Sequence, residues 1–413
     1  MKKIYTSVDI GSDSIKVVVL ELFKNKLNLL AASSVKSSGI KKGLITNATA
    51  AATSLKNALS EVEEILGIPI RKVIASVPIH NAVYSYSKAT IDIKNEDKLI
   101  GQEEINLVLK KSVKEKIELG QELVTVIPID FTVDDRGEVK DPKGMTGEKL
   151  SCRSIIVFTP KKNIYSVLSL IESVGVEVVD VSVNVIGDGF AFRNKDNVSE
   201  IGAVVNIGAE TTTISIYNKG VLVKASIIPL GGRNIDSDIA YIFKLSLQSA
   251  NKLKEKFATA HRRFSNVNEV KEIDNVSNET IKINQYELSE VVMFRIEEIL
   301  QLVKKEINSL TNKKMQYIIL TGGSSNMANL KCLAEEVLEQ SVSIGDIKVI
   351  GARNNKYSST VGNIVYFINK LNLKGVNYSM LSVLEQDEIS DAKRSERLGS
   401  SNLGRIFNYF TNE

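Results

Sequence analysis

The sequence predicts an α/β protein of two related halves, with a small α+β unit inserted in the first. Three observations carry that reading. The stretch VDIGSDSIKVVVL, Val8 to Leu20, reappears as VNIGAETTTISIY, Val205 to Tyr217; each is a strand, a glycine turn and a hydroxyl-rich strand. Between the two copies, residues 80 to 160 follow a different pattern of short strands and one helical run. Late in the second half, YIILTGGSSNMANLKCLAEEVL reads as a buried strand, a Gly-Gly turn and a helix.

Taken in order, IYTSVDIG, SIKVVVLE and LNLLAAS form a β-meander that turns at Lys24 to Lys26. Helical periodicity runs from Thr46 to Leu66, where Gly67 and Pro69 stop it. The strand RKVIASV follows. In the inserted block, GQEEINLVLKKSVKEKI is helical, and VIPIDFTVDDRGEVKDPKGMTGEKL is strand and loop. After the second glycine hairpin come a turn at Asn218 to Gly220, the strand VLVKASIIPL, and GGRNIDSDIA opening a helix. SLQSANKLKEKFATA is a helix, a polar stretch reaches Asn284, and YELSEVVMFRIEEILQLVKKEINSL is a long amphipathic helix. Beyond Leu373 the chain is polar and aperiodic, a linker by composition.

Composition removes several function classes. The 413 residues are 43% hydrophobic and 25% charged, enough to bury large cores. A formal net charge of +4, with no basic block interleaved with aromatics, argues against a nucleic-acid partner. Two cysteines, Cys152 and Cys332, and two histidines, His80 and His261, stand far apart, so neither a disulfide framework nor a His/Cys metal site is written here, and a reducing cytosol fits. The N-terminus meets Asp9 before an apolar region develops, and no apolar run is of spanning length. Neither secretion nor a membrane span is expected.

The glycine turns are where chemistry can gather. At the tip Asp9-Ile10-Gly11-Ser12-Asp13-Ser14 the backbone can approach an anion closely, because Gly11 has no side chain and successive N–H groups point outward. Ser12 and Ser14 add hydroxyl donors, Lys16 a cation, and Asp9 a carboxylate able to hold Mg2+ through its waters. By itself such a motif is more often a plain β-turn. The second tip, Asn206 to Thr213, strengthens it, since two matched hairpins can grip a polyphosphate from opposite sides. Thr321-Gly322-Gly323-Ser324, expected between a buried strand and a helix N-terminus, offers bare backbone for a flat base, or is a routine strand-to-helix loop.

The order of hairpin, duplicated hairpin, LKEK helix and T-G-G turn resembles the actin-like ATPase superfamily. GIKKGLIT (Gly39 to Thr46), VIPIDFTVDD, DPKGMTGEKL (Asp141 to Leu150) and PLGGRNIDSDIA narrow the likeness to the FtsA family of bacterial cell-division proteins, over almost the whole chain. The resemblance implies duplicated actin-like (ribonuclease H-like) domains with an inserted α+β subdomain 1C. Domain 1A would span 1–79 and 160–201, 1C 80–159, 2A 202–232 and 311–373, and 2B 233–310, followed by a flexible linker at 374–398 and an amphipathic membrane-targeting helix at 399–413.

The resemblance also implies ATP and Mg2+ as cofactors. It puts phosphate on Gly11, Ser12, Ser14 and Lys16 and on Gly208, Thr211 and Thr212; ribose or adenine on Lys254 and Glu255; the base on Gly322 and Gly323; and Mg2+ near Asp9 through water. Without the resemblance, Lys254 and Glu255 read as a solvated helix face. The implied role is an ATP-binding protein that polymerises on the inner face of the cytoplasmic membrane at the division site, anchors filaments of the tubulin-like protein FtsZ there, and meets other division proteins. Arg295, turned away from the core stripe Val292, Ile296 and Ile299, would receive the acidic, apolar FtsZ tail; a solvated surface arginine is the plainer alternative.

Two departures bear on hydrolysis. Asn206 stands where the superfamily usually keeps an aspartate, and a neutral amide brings no charge to polarise a metal-bound water. From Asn184 to Phe192 no obvious acid or amide orients an attacking water, Asp188 reading as a residue that caps or flanks a helix. ATP binding with slow or absent turnover is expected.

The end of the chain supplies the membrane expectation. Leu403, Ile406, Phe407 and Phe410 recur at i, i+3, i+4 and i+7, on one helical face. So short a helix is marginal in water. Four such side chains at a lipid interface give on the order of 5 kcal/mol before ordering costs, which many copies on one filament would multiply. Lys393, Arg394, Arg397 and Arg405 favour an anionic surface. The rival is that the stripe docks on the protein itself or in a partner groove. A pilus-assembly-type actin-like scaffold and a sugar or acid kinase of the same superfamily are the other functions left open.

Overall fold

Residues 2–113, 119–134 and 136–389 are described by the structure, a computed structural model. Strands β1 (Lys3–Ile10), β2 (Ser14–Phe23) and β3 (Lys26–Lys36) form the expected antiparallel meander. Its second turn places Lys24 and Asn25 at positive φ, the backbone that a tight hairpin matching strand twist requires. A short hairpin, β4 (Ile40–Lys41) and β5 (Leu44–Ile45), leads into α1 (Ala48–Leu66). The Asn47 carboxamide accepts from the Ala50 N–H at 3.1 Å, a cap worth about 1 kcal/mol, and Gly67 closes the helix in the left-handed region at φ +75°. The stripe Ala51, Leu55, Ala58, Leu59, Val62 and Leu66 is buried.

β6 (Lys72–Val77) pairs parallel with β1. The chain then leaves for the insertion: β7 (Val83–Asp92), α2 (Gln102–Val113), β8 (Gln121–Val133), β9 (Glu138–Val139) and β10 (Lys149–Pro160). These strands make a separate antiparallel sheet in the order β7-β10-β8-β9, with a core of Ile91, Ile100, Ile105, Val108, Phe131 and Leu150. DPKGMTGEKL is a structured turn: Gly144 N–H donates to Ile100 O at 2.9 Å and Gly147 N–H to Lys98 O at 3.0 Å. The Asp134 carboxylate accepts from the Lys149 and Glu148 amides at 2.8 and 2.9 Å.

α3 (Lys161–Glu172) and β11 (Glu177–Val183) return to the first sheet, whose order is β11-β6-β1-β2-β3. α4 (Asn184–Ala191) crosses to the second half, where β12 (Ile201–Ile207), β13 (Thr212–Asn218) and β14 (Val221–Ile228) repeat the meander. α5 (Gly232–Ile242), α6 (Leu247–Phe257), a hairpin of β15 (Val270–Asp274) and β16 (Thr280–Asn284), and α7 (Gln285–Leu310) form this half's excursion. The hairpin lies within the polar stretch to which the sequence assigned no element. Then β17 (Tyr317–Thr321), α8 (Leu330–Leu338) and β18 (Ser343–Ile344) complete a sheet of order β14-β13-β12-β17-β18. The two five-stranded sheets share one topology, a three-stranded antiparallel meander followed by two parallel strands. The expected duplicated α/β halves with an inserted α+β subdomain are therefore present.

Two expected boundaries move. The range 311–373 was assigned to the second half, but α9 (Ser358–Leu373) packs back on β1, β2 and β6 of the first. Its Val361, Ile364, Tyr366 and Phe367 join the first core. The linker expected at 374–398 also packs as far as it is described. Met380 N–H donates to Ile4 O at 2.9 Å, the Tyr5 hydroxyl donates to Tyr378 O at 2.9 Å, and Met380, Leu381 and Ile389 are buried. Polar composition hid a strip that buries Met380, Leu381 and Ile389 while Val376, Val383 and Leu384 stay exposed.

α4 and α9 cross where Gly187 meets Gly362. A side chain on Gly362 would overlap the Gly187 carbonyl oxygen, so only two bare backbones allow this approach. The crossing joins the halves behind the cleft between them.

Candidate functional site

A cavity of about 770 Å³ lies between the halves and is lined by both glycine tips. The tips are built alike: Gly11 N–H donates to Ser14 O at 3.2 Å, and Gly208 N–H to Thr211 O at 3.0 Å. Asp9 and Lys16 are cross-strand partners, which brings Lys16 Nζ within 3.1 Å of Asp9 Oδ2 and 3.3 Å of Ser14 O. The equivalent pair in the second half is Asn206 opposite Thr213. One half thus offers an ion pair at the cleft floor and the other a neutral pair.

Of the residues expected at the site, Asp9, Gly11, Ser12, Ser14, Lys16, Gly208, Thr211, Lys254, Glu255, Gly322 and Gly323 all line the cavity. Thr212 does not. Alternation along β13 sends Thr211 and Thr213 to the cleft and turns Thr212 into the body, where its hydroxyl donates to Leu230 O at 2.9 Å. Thr213 lines the cavity where Thr212 was expected.

At the other end of the cavity Lys254 is buried, its Nζ 2.7 Å from Asp236 Oδ1 and 3.0 Å from Gly232 O. Asn251 donates to the same carboxylate at 3.2 Å. Lys254 is therefore a buried cation in a hydrogen-bonded network and not a solvated helix position, whereas Glu255 beside it is exposed. Gly322 sits at φ +90° against Asn206 and Ile207, a position only glycine fills without strain. The expected helix N-terminus at this turn is displaced: one 3-10 turn, Gly323–Asn326, follows the turn, and α8 begins only at Leu330.

Asp188 does not cap or flank a helix. It is a fully buried residue within α4, whose carboxylate accepts from Ser358 and Ser359 at 2.6 and 2.8 Å and from the Asn206 amide at 2.8 Å. Burial outweighs these three bonds and pushes it up to about 6. It stands behind Asn206, away from the cavity lining. Asn184, at the start of the same helix, does line the cavity and is an amide the sequence reading passed over.

The residues fit a phosphate-bearing ligand. A side chain at Gly11 would meet Ser14 O at 2.9 Å and Lys16 Nζ at 3.1 Å, and one at Gly208 would meet Thr211 O at 3.0 Å, so both cradles depend on glycine. Among the described residues no group of three or more His, Cys, Asp or Glu could hold a metal ion. Asp9, which lines the cavity, would hold Mg2+ through its waters.

Residues 203–362 match the family model "Cell division protein FtsA", and residues 82–158 match "SHS2 domain inserted in FTSA". The chain belongs to the FtsA family. The cell division protein FtsA of Bacillus subtilis (strain 168) is 29% identical over 375 residues, 90% of this chain and 85% of that protein. The solved PilM-PilN type IV pilus biogenesis complex superposes with TM-score 0.59 at 15% identity, covering 88% of this chain and 98% of that one. MreB5 of Spiroplasma citri, solved with ADP, gives 0.53 at 12% identity over 90% and 98%. The fold is actin-like, and the α+β unit matches the SHS2 domain inserted in FtsA.

Two further expectations concern partners. Arg295 of α7 is turned from the core as expected, but it is not a solvated arginine. It makes a two-pronged pair with Asp238 of α5, Nε to Oδ2 at 2.6 Å and Nη2 to Oδ1 at 2.9 Å, and a third bond to Glu298. The stripe Leu403, Ile406, Phe407 and Phe410 lies outside the described residues. Among the described residues, no helix is long and apolar enough to cross a membrane.

Proposed function

We propose that this FtsA-family chain binds ATP with Mg2+ in the cleft, turns it over slowly or not at all, polymerises, and anchors FtsZ filaments to the cytoplasmic face of the cell membrane at the division site. The observation that carries the nucleotide reading is the pair of glycine tips, Gly11 and Gly208, facing one cavity from opposite halves. Ser12, Ser14, Lys16, Thr211 and Thr213 would hold the phosphates, Lys254 and Glu255 the ribose or adenine, and the Gly322-Gly323 backbone the base. Bound Mg2+ supplies charge neutralisation of the phosphates.

Slow turnover follows from what the chain places at the reacting end. Asn206 is neutral, and its amide N–H is committed to Asp188. Asp188 is closed off from the cavity, so it has no path to a water there. Titration calorimetry with Mg-ATP tests binding: heat-free injections into folded protein would end the nucleotide reading. Phosphate release at several per minute that Asn206→Ala abolishes would end the slow-turnover reading.

For assembly, electron microscopy on anionic lipid monolayers should give ATP-dependent filaments, and bare monolayers under both conditions would refute polymerisation. For the anchor, sedimentation with anionic liposomes should fail for Phe407→Asp with Phe410→Asp. Binding of the FtsZ C-terminal peptide separates this function from a pilus-type scaffold and from a kinase.

A further inference from the structure

The mouth of the cleft is bridged by side chains that the nucleotide reading does not use. Glu210, at the tip of the second hairpin, reaches across to the first half, and its Oε2 accepts from the Lys42 backbone N–H at 2.6 Å. Its Oε1 accepts from Arg233 Nη1 at 2.9 Å, and Arg233 Nη2 reaches on to Asp13 Oδ1 of the first tip at 3.4 Å. The receiving side is braced. Lys42 sits in the β4–β5 turn at φ +49°, its carbonyl accepts from His80 Nε2 at 2.6 Å, and Gly43 N–H donates to Ser12 Oγ at 2.7 Å. Glu210 keeps 15% of its side-chain exposure and lines the cavity with Ser12, Asp13, Gly43 and Arg233.

We propose that Glu210 is a positioning residue that straps the cleft shut: its carboxylate ties the second tip to the β4–β5 turn of the first half and retards escape of a polyphosphate held between the tips. The proposal rests on the nucleotide reading for its ligand but not for its contact. A carboxylate beside an anion site would ordinarily repel the guest. Here its charge is met by the Arg233 guanidinium and the Lys42 amide, both oriented toward it, so closure adds a charge-assisted bond across the gap. The bond can break without disturbing either sheet, because both ends lie in turns.

Two measurements test the strap. Hydrogen exchange resolved at single amides, on protein without nucleotide, should show Lys42 losing protection in Glu210→Ala while Gly43, held by Ser12, keeps it. Release of a fluorescent ATP analogue from the full chain should then be faster by on the order of tenfold in Glu210→Ala and also faster in Arg233→Ala, with melting temperatures near wild type. Unchanged Lys42 exchange, or release at the wild-type rate from both variants, overturns the strap. If the analogue fails to bind wild type, the nucleotide reading falls, and the exchange measurement alone decides whether Glu210 joins the halves.

Discussion

The Asn206 amide of the second glycine hairpin donates at 2.8 Å to the carboxylate of Asp188, a fully buried residue of the helix that links the halves. The acid missing from the hairpin is thus present in the protein, one side chain further back. Because burial raises Asp188 to about 6, its linkage runs opposite to that of a salt-bridged aspartate. Below about pH 4 it is protonated folded and unfolded; between about 4 and 6 the unfolded chain releases its proton first, so stability falls as pH rises. Above about 6 both states are ionised and the penalty is constant, on the order of 3 kcal/mol. Denaturation of wild type and Asp188→Asn across pH 4 to 7 should give a difference that moves against wild type through that window. A flat difference would show that Asp188 is not strained by burial.

The crossing of α4 and α9 makes a second prediction. Gly362→Ala places a methyl into the Gly187 carbonyl and must push the helices apart, costing about 2 kcal/mol or more. Gly323→Ala, with no heavy atom within 4 Å of the new carbon, should leave stability within about 0.5 kcal/mol. Urea unfolding of both variants checks the contrast.

Lys254 and Asp236 are both buried and 2.7 Å apart. Removing the cation alone leaves an uncompensated carboxylate, so Lys254→Met should cost about 3 kcal/mol, and the pair Lys254→Met with Asp236→Asn less than the sum of the single variants. A double-mutant cycle by chemical denaturation reads the coupling. Additive costs would contradict a buried pair.

Arg295 is held by Asp238 and Glu298, so an acidic peptide arriving there must compete with them. Asp238→Asn should strengthen binding of the FtsZ C-terminal peptide several-fold, and Arg295→Ala should weaken it about tenfold or more. Fluorescence anisotropy of labelled peptide distinguishes this from the opposite order, which would make Asp238 an orienting group that Arg295 needs.

Where the chain has one buried and one open face, its sequence announced its structure. α1 and α7 recur cleanly; the meander strands, buried almost throughout, were legible instead as apolar runs between turns, and the glycine tips because the motif occurs twice. α9 escaped notice because SSTVGNIVYFINKLNL is buried on nearly every side, and a helix without a polar face has no helical period to read. The β15–β16 ribbon sets only Ile273, Ile281 and Ile283 against the second core, and strands of five residues within a polar stretch are too short to stand out. Thr212 was expected in place of Thr213 because three consecutive threonines cannot say which two face the cleft. Glu210, Arg233 and Lys42 lie far apart in the chain, and only the folded cleft brings them to one spot.

The strip that follows α9 has a mechanical meaning. By bonding to Ile4 and Tyr5 on the first sheet, it makes that half the stationary frame from which the remaining C-terminal residues depart. Were the halves to rotate about the bare-backbone crossing, the second half would be the one that moves against this frame. If the chain beyond Ile389 carries the proposed anchor, the first half is the one it tethers.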